Sequence, residues 1–139
     1  MEITMKKEIK FFVSYARANQ DLATRFIIQY QEYVAPSKNY SYIFWRDTNI
    51  LVGENWHEEI QEALKQCNLG LLLVSASFLG SPYITEHELK NFVGSNSKPV
   101  IPIMLWSVDF DRFDLKGLQH AQIFRLNKPR FQEPKAYGD

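Results

Sequence analysis

The chain has 139 residues, 45% of them hydrophobic, which is the length and apolar content of one globular domain, residues 1–139. Sixteen Lys and Arg residues balance sixteen Asp and Glu residues, so no net charge favours nucleic acid or an anionic membrane as a partner. Cys67 is the only cysteine, which excludes an intramolecular disulfide and a multi-cysteine zinc site and favours the reducing cytoplasm. No apolar stretch approaches the roughly 18 residues of a membrane span.

The first two predicted elements are a buried strand and an amphipathic helix. An apolar and aromatic run at Ile9–Tyr15 ends at polar residues, which is typical of a strand covered on both faces. From Gln20 the apolar residues recur at three- and four-residue spacing until Pro36. Asn19 or Asp21 is available to cap the start of this helix.

Strands and helices then alternate to the end of the chain. Further strands are predicted at Tyr42–Trp45, Leu69–Ser75, Pro99–Leu105 and Ile123–Leu126. A loop over Arg46–Asn55 leads into a helix with its apolar face at Trp56, Ile60, Ala63, Leu64 and Cys67, and another helix begins near Pro82. Pro102 inside the fourth strand predicts a local irregularity. The alternation predicts an α/β fold with a parallel sheet.

Polar and aromatic residues collect where the predicted strands end. They are Ser14, Tyr15, Arg17, Trp45, Arg46, Asp47, Ser75 and Ser77, with Tyr83, Glu86, His87 and Glu88 on the helix beyond the third strand. Open parallel sheets bind ligands at this edge, and the mixture suits a ligand with phosphates, sugars and flat rings. No H-E-x-x-H motif is present, so we predict no metal site.

Two segments carry a resemblance to a known family. Phe11–Gln20 (FFVSYARANQ) and Phe44–Leu89 together resemble the Toll/interleukin-1 receptor (TIR) domain family, especially its bacterial members, over nearly the whole chain. The resemblance implies a flavodoxin-like three-layer sandwich with a five-stranded parallel sheet. Because the tail after the fifth strand is short and broken by prolines, we expect a piece of a longer protein, cut before the last helix of the domain.

The resemblance also implies an activity, which is cleavage of the nicotinamide–ribose bond of NAD by one glutamate. The matching motif is SPYITEHEL, in which Glu88 precedes Leu89 and follows Tyr83. Glu86 is the alternative, because plant-type and animal-type members of the family space the aromatic residue and the acid differently. Helix geometry does not separate the two acids, since at about 100° per residue they flank Leu89 on opposite sides. NAD is then the substrate, and no resident cofactor is expected. The predicted substrate-binding residues are Ser14, Tyr15, Arg17, Trp45, Asp47, Ser75 and Tyr83.

One carboxylate is enough for this chemistry. Nicotinamide is already a cationic leaving group, so the acid has only to stabilise or trap the oxocarbenium-like ribose. The resemblance further predicts that the loop residues Ile50, Leu51, Val52 and Gly53 contact other TIR domains. It implies that self-association activates the protein. It also implies a role in bacterial immune signalling such as antiphage defence. The alternative is a non-catalytic TIR–TIR adaptor module.

Overall fold

A parallel sheet with helices on both faces forms the framework of the domain. The computed structural model describes residues 6–47, 55–106 and 108–125. The strands are β1 (Lys7–Tyr15), β2 (Tyr40–Trp45), β3 (Leu69–Val74), β4 (Val100–Met104) and β5 (Phe124–Arg125), and the α-helices are α1 (Gln20–Val34), α2 (Trp56–Gln66) and α3 (Ala76–Leu79). The strand order β2-β1-β3-β4-β5 is that of flavodoxin-like folds.

The four longer strands confirm the predicted parallel α/β fold. β1 to β4 pair in parallel over five or six residue positions at each junction. The predicted fifth strand is present only as a two-residue ladder, in which Phe124 and Arg125 pair with Ile103 and Met104. Within the described ranges, no helix is both long and apolar enough to cross a membrane.

β1 lies between β2 and β3, so both of its edges are paired, and residues of the helical layers cover both of its faces. Phe11, Val13 and Tyr15 pack on the face covered by α1. Phe12 packs with α2 on the opposite face. Because side chains alternate along a strand, Ser14 shares the face of Phe12. The alternation therefore aims the last polar side chain of β1 at the layer that contains α2 and the segment after β3.

The predicted boundaries of α1 are confirmed, and Asn19, which with Asp21 was a candidate cap, lies at the start of the helix. Asn19 holds the cap position without a capping hydrogen bond from its side chain. Its Oδ1 instead accepts a hydrogen bond from Ser75 Oγ at 2.7 Å. This contact ties the turn after β1 to the end of β3, next to the carboxyl edge of the sheet.

Side chains satisfy both ends of α2. Asn55 Oδ1 accepts a hydrogen bond from the backbone N–H of Glu58 at the first turn. At the other end, Lys98 Nζ donates to the carbonyl oxygens of Leu64, Lys65 and Cys67 at 2.6, 2.8 and 2.9 Å. An ammonium group at a helix C-terminus also complements the helix dipole. α2 is thus fixed against the loop that leads into β4.

The irregularity predicted at Pro102 is absent, since the pairing of β3 with β4 runs without a break from Gly70–Val100 to Val74–Met104. Pro99 O accepts a hydrogen bond from Gly70 N–H, and Leu105 N–H donates to Val74 O. The backbone groups of odd-numbered β4 residues therefore bond to β3, and those of even-numbered residues face β5. Pro102 is even-numbered, so the N–H that it lacks would have pointed toward β5. β5 begins its pairing there only at Ile103, so the proline removes no ladder bond to β3.

The predicted helix after Pro82 is not a regular α-helix. α3 ends at Leu79, and the chain then forms a π-helical turn at Ile84–Glu88 and a 3-10 turn at Leu89–Asn91. Leu89 N–H donates to Ile84 O, five residues back, which is the bond that defines a π turn. Leu89 is buried as predicted, with 1% of its surface exposed.

Gly70 is expected to be intolerant of a side chain. A Cβ at this position would lie 2.6 Å from Cε1 of Phe92, a core ring. We expect Gly70→Ala to lower the free energy of unfolding by about 1–3 kcal/mol through overpacking. Urea unfolding of Gly70→Ala, Phe92→Leu and the double variant measures this. Strict additivity of the two changes would contradict the contact, because the smaller leucine should relieve the clash.

Candidate active site

A buried carboxyl group lies at the carboxyl end of β1. Ser14 Oγ donates a hydrogen bond to Glu88 Oε1 at 2.7 Å, and Glu88 is only 8% exposed. Ser14 is the last inward residue on its face of β1, and Glu88 closes the π turn beyond β3. Two segments far apart in sequence therefore meet at the edge of the sheet where open α/β folds bind ligands.

The π turn places Glu86 and Glu88 in different surroundings, although regular helix geometry did not distinguish them. The side chain of Glu86 is 70% exposed, with Oε2 at 3.9 Å from His87 Nε2. Glu88 points inward, and its own carbonyl accepts a hydrogen bond from Asn91 Nδ2 at 3.0 Å. A π turn inserts an extra residue relative to an α-helix and so changes which side chain faces the core. Glu88 alone of the two reaches Ser14.

Burial dominates the electrostatics of Glu88. Desolvation raises the pKa of Glu88 to about 7, and the negative charge of Asp47 acts in the same direction. The hydrogen bond from Ser14 opposes the shift because it favours the carboxylate. Such a group is close to half ionised near neutral pH. Perturbed carboxyl groups in clefts are frequent at functional sites.

A small cavity opens beside Glu88. It is lined by Phe12, Val13, Tyr15, Trp45, Asp47, Ile60 and Glu88. The described residues enclose about 10 Å³, the space of about one water molecule. Trp45 is half-buried and stacks on Phe12, with ring centroids 5.2 Å apart. This space is too small for a sugar ring.

Tyr15 and Asp47 close one side of this cavity. Tyr15 OH donates to Asp47 Oδ1 at 3.1 Å. Burial, followed by the Asp47 charge, raises the pKa of Tyr15 to about 12, so the phenol stays protonated. Arg17 Nε lies 3.9 Å from the other oxygen of Asp47. These three predicted residues thus form one linked group next to Glu88.

Sequence reasoning placed Tyr83 and His87 at the rim but missed that Trp56 and His57 join them in one aromatic group. The rings of Trp56 and Tyr83 lie 4.4 Å apart, and His57 Nδ1 is 2.9 Å from Tyr83 OH. His87 adds a ring whose centroid is 4.6 Å from that of Tyr83. Trp56 was assigned to the apolar face of α2, but it is 37% exposed. Trp56 is the first residue of α2, directly after the loop over Arg46–Asn55, and this position was the signal in the sequence that it could lie at the rim.

The comparison with known families agrees with this geometry. The TIR domain family model matches residues 11–136, which is most of the chain. The chain belongs to the TIR domain family. An uncharacterized protein of Sinorhizobium fredii, y4lF, is 30% identical over 128 residues, covering 88% of this chain and 36% of that protein. This TIR domain thus spans about a third of the length of that curated protein, whose source agrees with the bacterial character of the motifs.

One of the remaining predicted site residues of the TIR domain has a structural role. Ser75 is buried, donates to Asn19, and accepts a hydrogen bond from Phe78 N–H at the start of α3. It does not line the cavity beside Glu88. The predicted interaction loop, Ile50 to Gly53, lies outside the described residues. Across the described ranges, no three His, Cys, Asp or Glu side chains are grouped as a metal site.

Proposed function

We propose that this TIR domain hydrolyses or cyclises NAD with release of nicotinamide, that Glu88 is its catalytic carboxylate, and that self-association activates it in bacterial immune signalling. The observation that carries the proposal is the position of Glu88. It is the buried acid at the ligand-binding edge of the sheet, it accepts a hydrogen bond from Ser14, and it borders the cavity. The family membership supports the choice of reaction.

The proposed reaction needs only a negative charge below the ribose. The bond between ribose C1′ and the pyridinium nitrogen breaks, and its electron pair leaves with neutral nicotinamide. The carboxylate of Glu88 stabilises the resulting cation or forms an ester with C1′. Water then attacks C1′ and loses a proton to give ADP-ribose, or a nucleophile within the same molecule closes a ring.

The small size of the cavity supports a requirement for assembly. A volume of about 10 Å³ beside Glu88 leaves no room for a ribose. A second TIR domain that contacts the rim could hold Trp45 and its neighbours in an open arrangement, and this would link activity to self-association. Such a switch needs an interaction that differs between the closed and open states.

The direct test compares dilute and assembled protein. NAD is added to wild type at concentrations below and above the onset of self-association, and nicotinamide is quantified by chromatography. We expect release to rise more steeply than protein concentration. Absence of nicotinamide release from every assembled form would reject the enzyme and leave the alternative, a TIR–TIR adaptor module.

The pH dependence should report the contact between Ser14 and Glu88. The catalytic form is the carboxylate, so kcat/KM is expected to rise with pH around the Glu88 pKa of about 7. Ser14→Ala removes the hydrogen bond that lowers this pKa, so the rise should move to higher pH. Activity of Ser14→Ala should be several-fold reduced near pH 6.5 and approach that of wild type near pH 9.

The matched control is Ser77→Ala, which removes an exposed hydroxyl just beyond the end of β3. Its pH profile should coincide with that of wild type. Identical midpoints for Ser14→Ala and Ser77→Ala would contradict a positioning role for Ser14. A uniform loss of activity at every pH would point to damage to the fold instead.

A further inference from the structure

The two edges of the sheet differ in how they are protected. β5 ends the sheet on one side and consists of two residues, Phe124 and Arg125. β2 ends it on the other side and runs for six residues, Tyr40–Trp45, with the sequence YSYIFW. This strand contains no charged residue, proline or glycine. Natural proteins usually shorten, charge or kink an exposed edge to prevent pairing with another chain. β2 therefore has the character of an edge that pairs.

The hydrogen-bond pattern shows which residues of β2 face outward. Lys7 N–H donates to Asn39 O at 3.1 Å, at the start of the ladder between β1 and β2. In a parallel ladder, residues that bond to the neighbouring strand alternate with residues that point away from it. The odd-numbered residues of β2 therefore bond to β1, and Tyr40, Tyr42 and Phe44 direct their N–H and C=O groups outward. Among the described residues, no strand pairs with this side of β2.

Exposed apolar side chains accompany these outward backbone groups. Tyr40 and Ile43 are 42% and 40% exposed. A groove of about 320 Å³ lies between β2 and the end of α1, and its lining includes Gln31, Val34, Ala35, Tyr40, Tyr42 and Phe44. A strand that pairs with the backbone of β2 would place alternate side chains in this groove. The edge of β2 thus has both parts of a strand-addition site.

We propose that two copies of this TIR domain pair through β2, antiparallel and about a two-fold axis at Ile43, so that their sheets join into one. In this arrangement, Tyr42 of each copy exchanges both of its outward hydrogen bonds with Phe44 of the other copy. The exposed Ile43 side chains meet at the axis, on the face of the sheet opposite α1. A two-fold contact uses the same surface on both copies and closes on itself, so it forms a dimer.

Charge complementarity favours a second copy as the partner and selects this register. β2 itself carries no charge, so two β2 strands meet without like charges at their centre. An axis at Tyr42 would place Lys38 opposite Arg46 of the second copy, which is unfavourable. An axis at Ile43 instead places Arg46 opposite Tyr40, and a guanidinium and an aromatic ring attract each other.

The pairing reaches the Glu88 cavity through β2. Trp45 is the last residue of the strand, and both Trp45 and Asp47 line the cavity. A strand paired on both sides holds these two side chains more firmly than an edge strand does. This link to activity rests on the proposed function, whereas the surface itself rests on the geometry of β2. The contact consists of β2 residues and is additional to the predicted interaction loop, Ile50 to Gly53.

Charge substitutions at the axis test the pairing in solution. Ile43→Lys brings two ammonium groups together, so the dimer Kd from sedimentation velocity should rise by at least about tenfold. Ile43→Glu should have the same effect, and an equimolar mixture of the two variants should restore dimers, because unlike charges then meet. Ile28→Lys is the matched control, since Ile28 is 50% exposed on α1, and it should associate like wild type. A monomeric wild type, no recovery in the mixture, or equal loss in Ile28→Lys would overturn the proposal.

Cysteine cross-linking tests the position of the axis. Residues of a non-hydrogen-bonded antiparallel pair have Cα atoms about 4.5 Å apart, which is within the range of a disulfide. Ile43→Cys should therefore form covalent dimers on mild oxidation, measured on non-reducing gels. Ser41→Cys is the control, because this position shares the face of Ile43 but lies opposite Trp45 of the second copy. The native Cys67 is buried. Covalent dimers of Ser41→Cys as abundant as those of Ile43→Cys would contradict the pairing.

Nicotinamide release separates this inference from the proposed function. Release from NAD should fall in Ile43→Lys and recover when Ile43→Glu is added. Recovery of dimers in the mixture, without nicotinamide release from any sample including wild type, would reject the proposed function and leave the surface. Nicotinamide release by Ile43→Lys equal to that of wild type, with no effect of the substitution on association, would reject the surface and leave the proposed function.

Discussion

Glu88→Gln is expected to lower kcat for nicotinamide release from NAD by at least about 100-fold, with little change in KM. The amide keeps the size of the side chain and can still accept the hydrogen bond from Ser14 Oγ, which reaches Glu88 Oε1 at 2.7 Å in the wild type. It cannot supply the negative charge that the ribose cation needs. Removing a preorganised electrostatic group typically costs 100- to 1,000-fold.

The division between kcat and KM decides how Glu88 acts. The charge is needed in the transition state, since the ground state of NAD already carries its positive charge on the departing ring. An interaction made mainly in the transition state appears in kcat. Initial rates over a range of NAD concentrations measure both constants. A rise in KM at constant kcat would assign Glu88 to substrate binding instead.

The same substitution is expected to stabilise the protein at high pH. The pKa of Glu88 is about 7 in the folded state against a reference value of 4.5, so the folded protein resists its ionisation. The folded state thus loses stability as pH rises from 4.5 to 7, and the full loss is present above pH 7. At 1.36 kcal/mol for each pKa unit, that loss is about 3 kcal/mol.

Glu88→Gln cannot ionise and so avoids this loss. Its free energy of unfolding in urea should equal that of wild type near pH 4 and exceed it by up to about 3 kcal/mol above pH 8. Glu86→Gln is the control, because that side chain is 70% exposed and should behave like wild type. A difference between Glu88→Gln and wild type that does not change with pH would contradict the buried, ionisable state. A stabilising substitution that removes activity is typical of a residue kept for function.

Much of the framework could be predicted because its elements are locally encoded. The periodic apolar positions of α1 and the stop before Pro36 define Gln20–Val34 as observed. The first two predicted strands were each two residues too short at the start, since β1 begins at Lys7 and β2 at Tyr40. These two residues pair with each other at the start of the ladder. Pairing between distant segments extends strands beyond what a hydrophobic pattern reveals.

The site could be predicted in outline but not in detail. The strand-end rule correctly placed Ser14, Trp45 and Asp47 at one edge, because this follows from parallel topology alone. The choice between Glu88 and Glu86 depends on a π turn, and periodic patterns assume regular α-helix geometry. The exposure of Trp56 was missed for a similar reason, since apolar spacing assigns a face to a residue but not its depth.

We propose that the carboxylate of Glu88 drives cleavage of NAD. The most direct measurement is nicotinamide release by two isosteric variants, Glu88→Gln and Glu86→Gln, assayed side by side in the assembled state at saturating NAD. We expect Glu86→Gln to keep the wild-type rate and Glu88→Gln to lose at least about 100-fold. Equal rates for Glu88→Gln and wild type, or loss only in Glu86→Gln, would contradict it.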